Sequence, residues 1–265
     1  MTTRPIRIGV QLEPQHADYK AIRSAVAEAE DIGVDVIFNW DHFFPLYGDP
    51  DGKHFECWTM LAAWAESTSR VEIGALVSCN GYRNPDLLAD MARTVDHISD
   101  GRLILGIGAG WSERDYTEYG YEYGTPGSRI DHLGESLTRI RSRFGRLNPA
   151  PVREIPVLIG GAGEKKTLRL VAEHADVWHV LGDVETTRRK LQILRGHCDA
   201  VGRDFSEIEV SVHVGGGGNP FAEPGERGPA MRDLGVSLFT VSTGGPDFDF
   251  TDVRKWIAWR DAQNS

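Results

Sequence analysis

Apolar positions along this chain switch between two spacings, one suited to buried strands and the other to amphipathic helices. Residues 6–12 predict a short strand, and 21–32 carry Ile22, Val26 and Ala29 at helical spacing. The run VDVIF at 34–38 is apolar enough for a strand covered on both faces. A helix follows over 57–65 and a strand over 71–77. Pro85 sits where a first helical turn tolerates it, with Leu88, Met91, Val95 and Ile98 on one face, and Gly101 stops that helix. The segment LILGIGAG at 103–110 returns as a strand ending in glycines. Residues 111–127 are polar and rich in Tyr and Gly, which predicts a long loop. Helices are then expected over 129–144, 164–174 and 186–201, with strands at 156–161, 177–180 and 208–214. A glycine run and a Pro-rich loop lead to a short helix at 229–234, a strand at 237–241 and a last helix at 250–262.

Eight strand–helix units in 265 residues give roughly 33 residues per unit, the size of one βα repeat. The expected fold class is therefore α/β, a (β/α)₈ TIM barrel, in one domain over 1–265 with no linker to divide it. A doubly wound sheet is the rival and usually has fewer strands. The composition, 40% hydrophobic and 26% charged, excludes a disordered chain. Twenty-nine basic against 39 acidic residues give a net charge of −10, which argues against holding nucleic acid or an anionic membrane by bulk charge. Cys57, Cys79 and Cys198 form no CxxC pair, so neither a zinc cluster nor a disulfide framework is indicated. No run approaches the ~18 apolar residues of a membrane span, and the first residues lack the core of a signal peptide. A cytoplasmic setting is the expectation.

A barrel of this kind builds its site where strands end and helices begin. Those positions collect Glu13, then Asp41-His42, then Ser78-Cys79-Asn80, then Gly108-Ala109-Gly110-Trp111, then Gly160-Gly161-Ala162-Gly163, with His179 and His213 beyond. The glycines at 160–163 let backbone approach a ligand, and the following helix start offers unpaired N–H groups suited to phosphate, with Lys165 or Lys166 adding charge. A tight turn without a ligand is the alternative. No GxxxxGK[ST] occurs, and Gly106, Gly108 and Gly110 do not complete GxGxxG, so a dinucleotide fingerprint is unsupported. Asp41-His42 is the best acid–base pair, because imidazole changes charge near neutral pH and a carboxylate tunes it. A hydrogen-bonded structural histidine is the alternative there. His16, His179 and His213 have only their strand-end positions in their favour, whereas His97, His132, His174 and His197 fall on predicted helices and are expected to be solvated. No HxH or HExxH spacing indicates a metal. Trp40, Trp58, Trp64 and Trp111 are candidates for an aromatic pocket wall, with burial in the core as the alternative.

Taken in order, Asp41-His42, the stretch Tyr82-Arg83-Asn84-Pro85 leading to Asp96–Leu103, Gly108–Trp111, and Ile159–Leu168 followed by Ala175–Trp178 are specific where each alone is weak. From Ile8 to about Ile208 the chain resembles the luciferase-like monooxygenase superfamily, in its actinobacterial branch of coenzyme F420-dependent oxidoreductases. The resemblance implies a compact barrel without large insertions and a deazaflavin, F420, lying across the rim, with FMN as the alternative cofactor. It implies a ring near Ser78, Cys79 and Asn80 and contacted by Asp41. The phosphate would lie against the N–H groups of Gly160, Gly161 and Gly163, opposite Gly108 to Gly110. It implies His42 as the proton-handling group with Glu13 in reserve, and a non-proline cis peptide between Ser78 and Cys79. Two stretches depart from the usual pattern, Ser112-Glu113-Arg114-Asp115 and Trp178-His179. The implied reaction is hydride transfer with a small-molecule substrate. An FMN-dependent monooxygenase and a non-catalytic flavin or deazaflavin carrier are the alternatives. Loops 43–56, 111–127 and 215–228 are expected to wall the substrate site, and a homodimer is the implied assembly.

Overall fold

A computed structural model describes residues 4–216, 223–225 and 227–265. Among the described residues, nine parallel strand segments alternate with helices. They are β1 (Arg7–Glu13), β2 (Val36–Asn39), β3 (Glu72–Ala75), β4 (Ser78–Cys79), β5 (Leu103–Gly108), β6 (Val157–Gly160), β7 (Val177–Val180), β8 (Glu209–Gly216) and β9 (Val236–Gly244). The helices among the described residues are α1 (Tyr19–Asp31), α2 (Cys57–Ser67), α3 (Pro85–Ile98), α4 (Glu113–Glu118) and α5 (Pro126–Phe144). They continue with α6 (Thr167–His174), α7 (Val184–Val201), α8 (Arg227–Asp233) and α9 (Thr251–Asn264). β1 pairs with both β2 and β9, which closes the sheet, and β3 and β4 occupy one barrel position because both pair with β5. The result is the expected closed (β/α)₈ barrel. Half of the predicted loop 215–228 lies outside the described residues.

Alternate strand residues face alternate layers. Val36, Phe38, Leu76, Ile104, Leu158, Val177 and Leu238 fill the barrel interior, while Ile8, Val10, Ile37 and Ile159 pack outward with Trp64 of α2 and Trp256 of α9. Strand approach is tightest at Gly106, where an added Cβ would collide with the Ala75 carbonyl oxygen. Helix starts are fixed locally. The Asn84 side chain accepts from the N–H groups of Asp86 and Leu87 ahead of α3, and Thr125 and Ser128 form a capping box on α5. At the strand beginnings, the Arg102 guanidinium donates to the carbonyls of Ala65, Thr68 and Val71, tying α2 to the start of the third barrel position. No helix among the described residues is long and apolar enough to cross a membrane.

Four expectations need correction. The cis peptide lies between Leu76 and Val77, not between Ser78 and Cys79. The pairings Gly74↔Ile104 and Ser78↔Ile107 show one extra residue on the β3–β4 side, so the predicted continuous strand 71–77 is broken by a bulge. Ser78 has already rejoined the ladder, which leaves Leu76-Val77 as the irregular step. The helix predicted over 164–174 begins only at Thr167, because Glu164 bends back to Arg189 and Lys190 of α7. The predicted loop 111–127 contains α4, whose buried residues are Asp115 and Tyr116, so apolar periodicity could not reveal it.

Candidate active site

The carboxyl ends of the strands surround a cavity of about 570 Å³. His42 stands in its wall just beyond β2. Its Nδ1 lies 2.6 Å from Asp115 Oδ2, and the same carboxylate accepts from the Phe43 N–H at 3.1 Å and the Tyr82 hydroxyl at 2.9 Å. Burial alone would raise the Asp115 carboxyl, but these hydrogen bonds, led by His42, hold it below the ordinary carboxylate range. Asp115 is thus an ionised group presented to one ring nitrogen, which leaves Nε2 as the nitrogen of His42 without a hydrogen bond among the described residues. Trp40 and Trp111 meet the imidazole edge-on, with ring centroids 6.3 and 5.4 Å away.

Asp41, the neighbour of His42 in sequence, faces a different partner. Its carboxylate takes two hydrogen bonds from Arg83, at 2.5 and 3.0 Å, and one from the Cys79 N–H at 3.0 Å. Burial pushes the Asp41 carboxyl upward against the pull of Arg83. Burial would lower Arg83, but Asp41 and then Glu56 carry the guanidinium above its ordinary value. This pair anchors the β4 backbone to the end of β2. Although Asp41 borders the cavity, its oxygens are engaged behind the wall.

The other predicted residues divide by position. Cys79, Gly110, Gly160, Gly161 and Ala162 border the cavity, whereas Glu13, Ser78, Asn80, Gly108, Ala109, Gly163 and Lys165 do not. The Ser78 hydroxyl accepts from the Trp58 indole, and Asn80 is buried. Cys79 Sγ lies 3.1 Å from the Tyr116 hydroxyl, and burial pushes its thiol up to about 11. The space a side chain would need at Gly108 and Gly160 is taken by Val77, and at Gly110 by Tyr116 and Cys79. Gly161 has φ +136°, and its N–H already donates to the His179 carbonyl at 3.2 Å. Any anion at this turn must therefore use N–H groups other than that one. Burial raises the Glu13 carboxyl, opposed by a hydrogen bond from Tyr47. Two residues earlier, Gln11 does reach the cavity. Its amide donates to the Leu76 carbonyl at 2.8 Å and accepts from Ser242 at 3.2 Å. His179 bonds Ser211 at 2.9 Å, and burial pushes it down to about 3. Of the four tryptophans, Trp40 and Trp111 border the cavity, while Trp58 and Trp64 are buried in α2. Sequence reasoning missed Asp115, Tyr82, Gln11 and Val77 as site residues. The available signals were the place of Tyr82 in a family-like stretch, that of Gln11 at the end of a predicted strand, and the acidic position at 115 within a departure from the family pattern.

The family profile described as Luciferase-like monooxygenase matches residues 2–215. The chain belongs to the luciferase-like monooxygenase family. Among its relatives, an uncharacterized protein of Mycobacterium tuberculosis is 30% identical over 236 residues, covering 80% of this chain and 79% of that one. The F420-dependent glucose-6-phosphate dehydrogenase of Amycolatopsis mediterranei is 30% identical over 177 residues, 60% of this chain and 52% of the relative. Among solved structures, an F420-dependent secondary alcohol dehydrogenase in complex with an F420-acetone adduct superposes with a TM-score of 0.83. It is 16% identical and covers 96% of this chain and 97% of that chain. The EDTA monooxygenase from Chelativorans gives a TM-score of 0.67 at 15% identity, covering 89% and 67%. In this luciferase-like barrel, as the described residues stand, no group of three or more His, Cys, Asp or Glu side chains is placed to hold a metal ion.

Proposed function

We propose that this protein is an F420-dependent oxidoreductase that moves a hydride between the deazaflavin and a small organic substrate, with His42 handling the matched proton. The observation that carries the reading is the His42–Asp115 pair on the cavity wall. Relatives named as F420-dependent support the cofactor, although this chain spans about half their length. The cavity also fits a flat ring. Trp40, Leu76, Val77 and Trp111 give it apolar walls, and Gly160 and Gly161 leave bare backbone at its edge. When bound, a 5-deazaflavin accepts or gives hydride at ring carbon and reacts poorly with dioxygen.

This chain's residues supply the rest. Ionised Asp115 holds the His42 Nδ1–H, fixes the tautomer and stabilises the imidazolium, so Nε2 takes the proton from a substrate hydroxyl or returns it to a carbonyl oxygen. Asp41 and Arg83 hold the backbone at Cys79, and Trp111 helps to exclude water. A homodimer and a cytoplasmic setting belong to the same proposal, and light scattering after size-exclusion checks the first.

The test is parallel fluorescence titration with F420 and FMN, followed by stopped-flow reduction of the bound cofactor. Tighter binding of F420, with His42-dependent reduction, is the expected result. Tight FMN binding without F420 binding would overturn the proposal in favour of a flavin monooxygenase.

A further inference from the structure

Most polar groups on the cavity wall are already bonded to one another. Gln11 is spent on Leu76 and Ser242, Asp41 on Arg83, Cys79 on Tyr116, and Tyr82 on Asp115. The polar functions that remain are imidazoles, His42 with His179 and His213. Burial is the largest cause lowering both His179 and His213, so these two are uncharged at neutral pH. No lysine or arginine borders the cavity among the described residues. The nearby cations are engaged elsewhere. Arg83 serves Asp41 and Glu56, Lys190 serves the Ala162 carbonyl and Glu164, and Arg227 donates to the Gly182 and His213 carbonyls. Residues 1–3, 217–222 and 226 contain no Lys or Arg. The remaining wall is apolar and ends in two exposed residues, Trp111 at 63% and Leu181 at 68%.

We infer that the substrate is an electrically neutral molecule with an apolar body, and that carboxylates and phosphate esters, sugar phosphates included, are excluded. This rests on the hydride-transfer reading of the same cavity. An anion entering such a wall leaves its hydration behind and meets no lysine or arginine side chain lining it among the described residues, whereas an apolar body gains by leaving water.

Calorimetric titration of the F420-loaded and the cofactor-free protein with 2-octanone, octanoate and octyl phosphate tests the inference. The ketone is expected to bind at least about tenfold tighter than either anion. Leu181→Arg places a cation at an exposed rim position, where folding is not at stake, and is expected to narrow that gap. An anion binding as tightly as the ketone, no binding by any of the three, or an unchanged gap in Leu181→Arg would each overturn the inference. Failure of the parent reading looks different. A protein that does not bind F420 but keeps the neutral preference loses the cofactor assignment and retains the substrate class. One that binds F420 and prefers an anion loses only the substrate class.

Discussion

His42 and Asp115 meet at 2.6 Å although 73 residues of chain separate them, one just beyond β2 and the other on the short helix α4. The contact makes α4 part of the site. It also divides the labour of two adjacent residues, since Asp41 is committed to Arg83 and His42 to the cavity.

If His42 moves the proton, His42→Ala should keep cofactor affinity near that of the parent and lose turnover by ~10²–10⁴-fold in the chemical step. Single-turnover hydride transfer at saturating F420 is the measurement. Normal transfer with collapsed affinity would make His42 a binding residue and pass the proton role to a substrate-bound water.

Asp115 is a positioning residue, so Asp115→Asn should lower kcat by roughly 10–10²-fold with KM little changed, and Asp115→Glu should recover part of the loss. The same variant reports on stability. The folded Asp115 carboxyl sits below its ordinary value, so its contribution is complete above the unfolded value of about 3.9 and is lost as pH falls through the lower folded value. The stability gap between parent and Asp115→Asn should be full at neutral pH and shrink in acid below about pH 4, as read from urea midpoints.

The Asp41–Arg83 pair is buried, with the Asp41 side chain fully covered. Arg83→Met strands that carboxylate and should cost about 3–5 kcal/mol. Adding Asp41→Asn to Arg83→Met should restore part of the loss in urea denaturation. A single variant as stable as the parent would show that the anchor is dispensable.

Two glycines should respond in opposite senses. Gly106→Ala drives a Cβ into the Ala75 carbonyl and should destabilise by more than about 4 kcal/mol. On α7, a Cβ at Gly196 meets nothing within 4 Å, so Gly196→Ala should stabilise by roughly 0.5–1 kcal/mol. Thermal melts of both variants check the pair.

The barrel was legible because strand and helix spacings alternate so regularly, and a buried strand such as 34–38 announces itself by composition. The site was legible only in outline. Asp41-His42 stood out at a strand end, but sequence adjacency cannot say that the two side chains turn to different partners. Asp115 was hidden because α4 buries polar residues, which carry no apolar signal. Ser78 was read as a ring contact, yet it receives the Trp58 indole, a meeting of two residues 20 apart that no local pattern encodes.

Val77 occupies the side-chain space that Gly108 and Gly160 leave vacant while also facing the cavity. Three neighbouring barrel positions therefore share one side chain as a floor tile. The depth of the chamber is separable from the hydrogen-bonded hoop around it: Val77 takes no part in the strand pairings of the barrel among the described residues, so its side chain sets the floor without holding the wall.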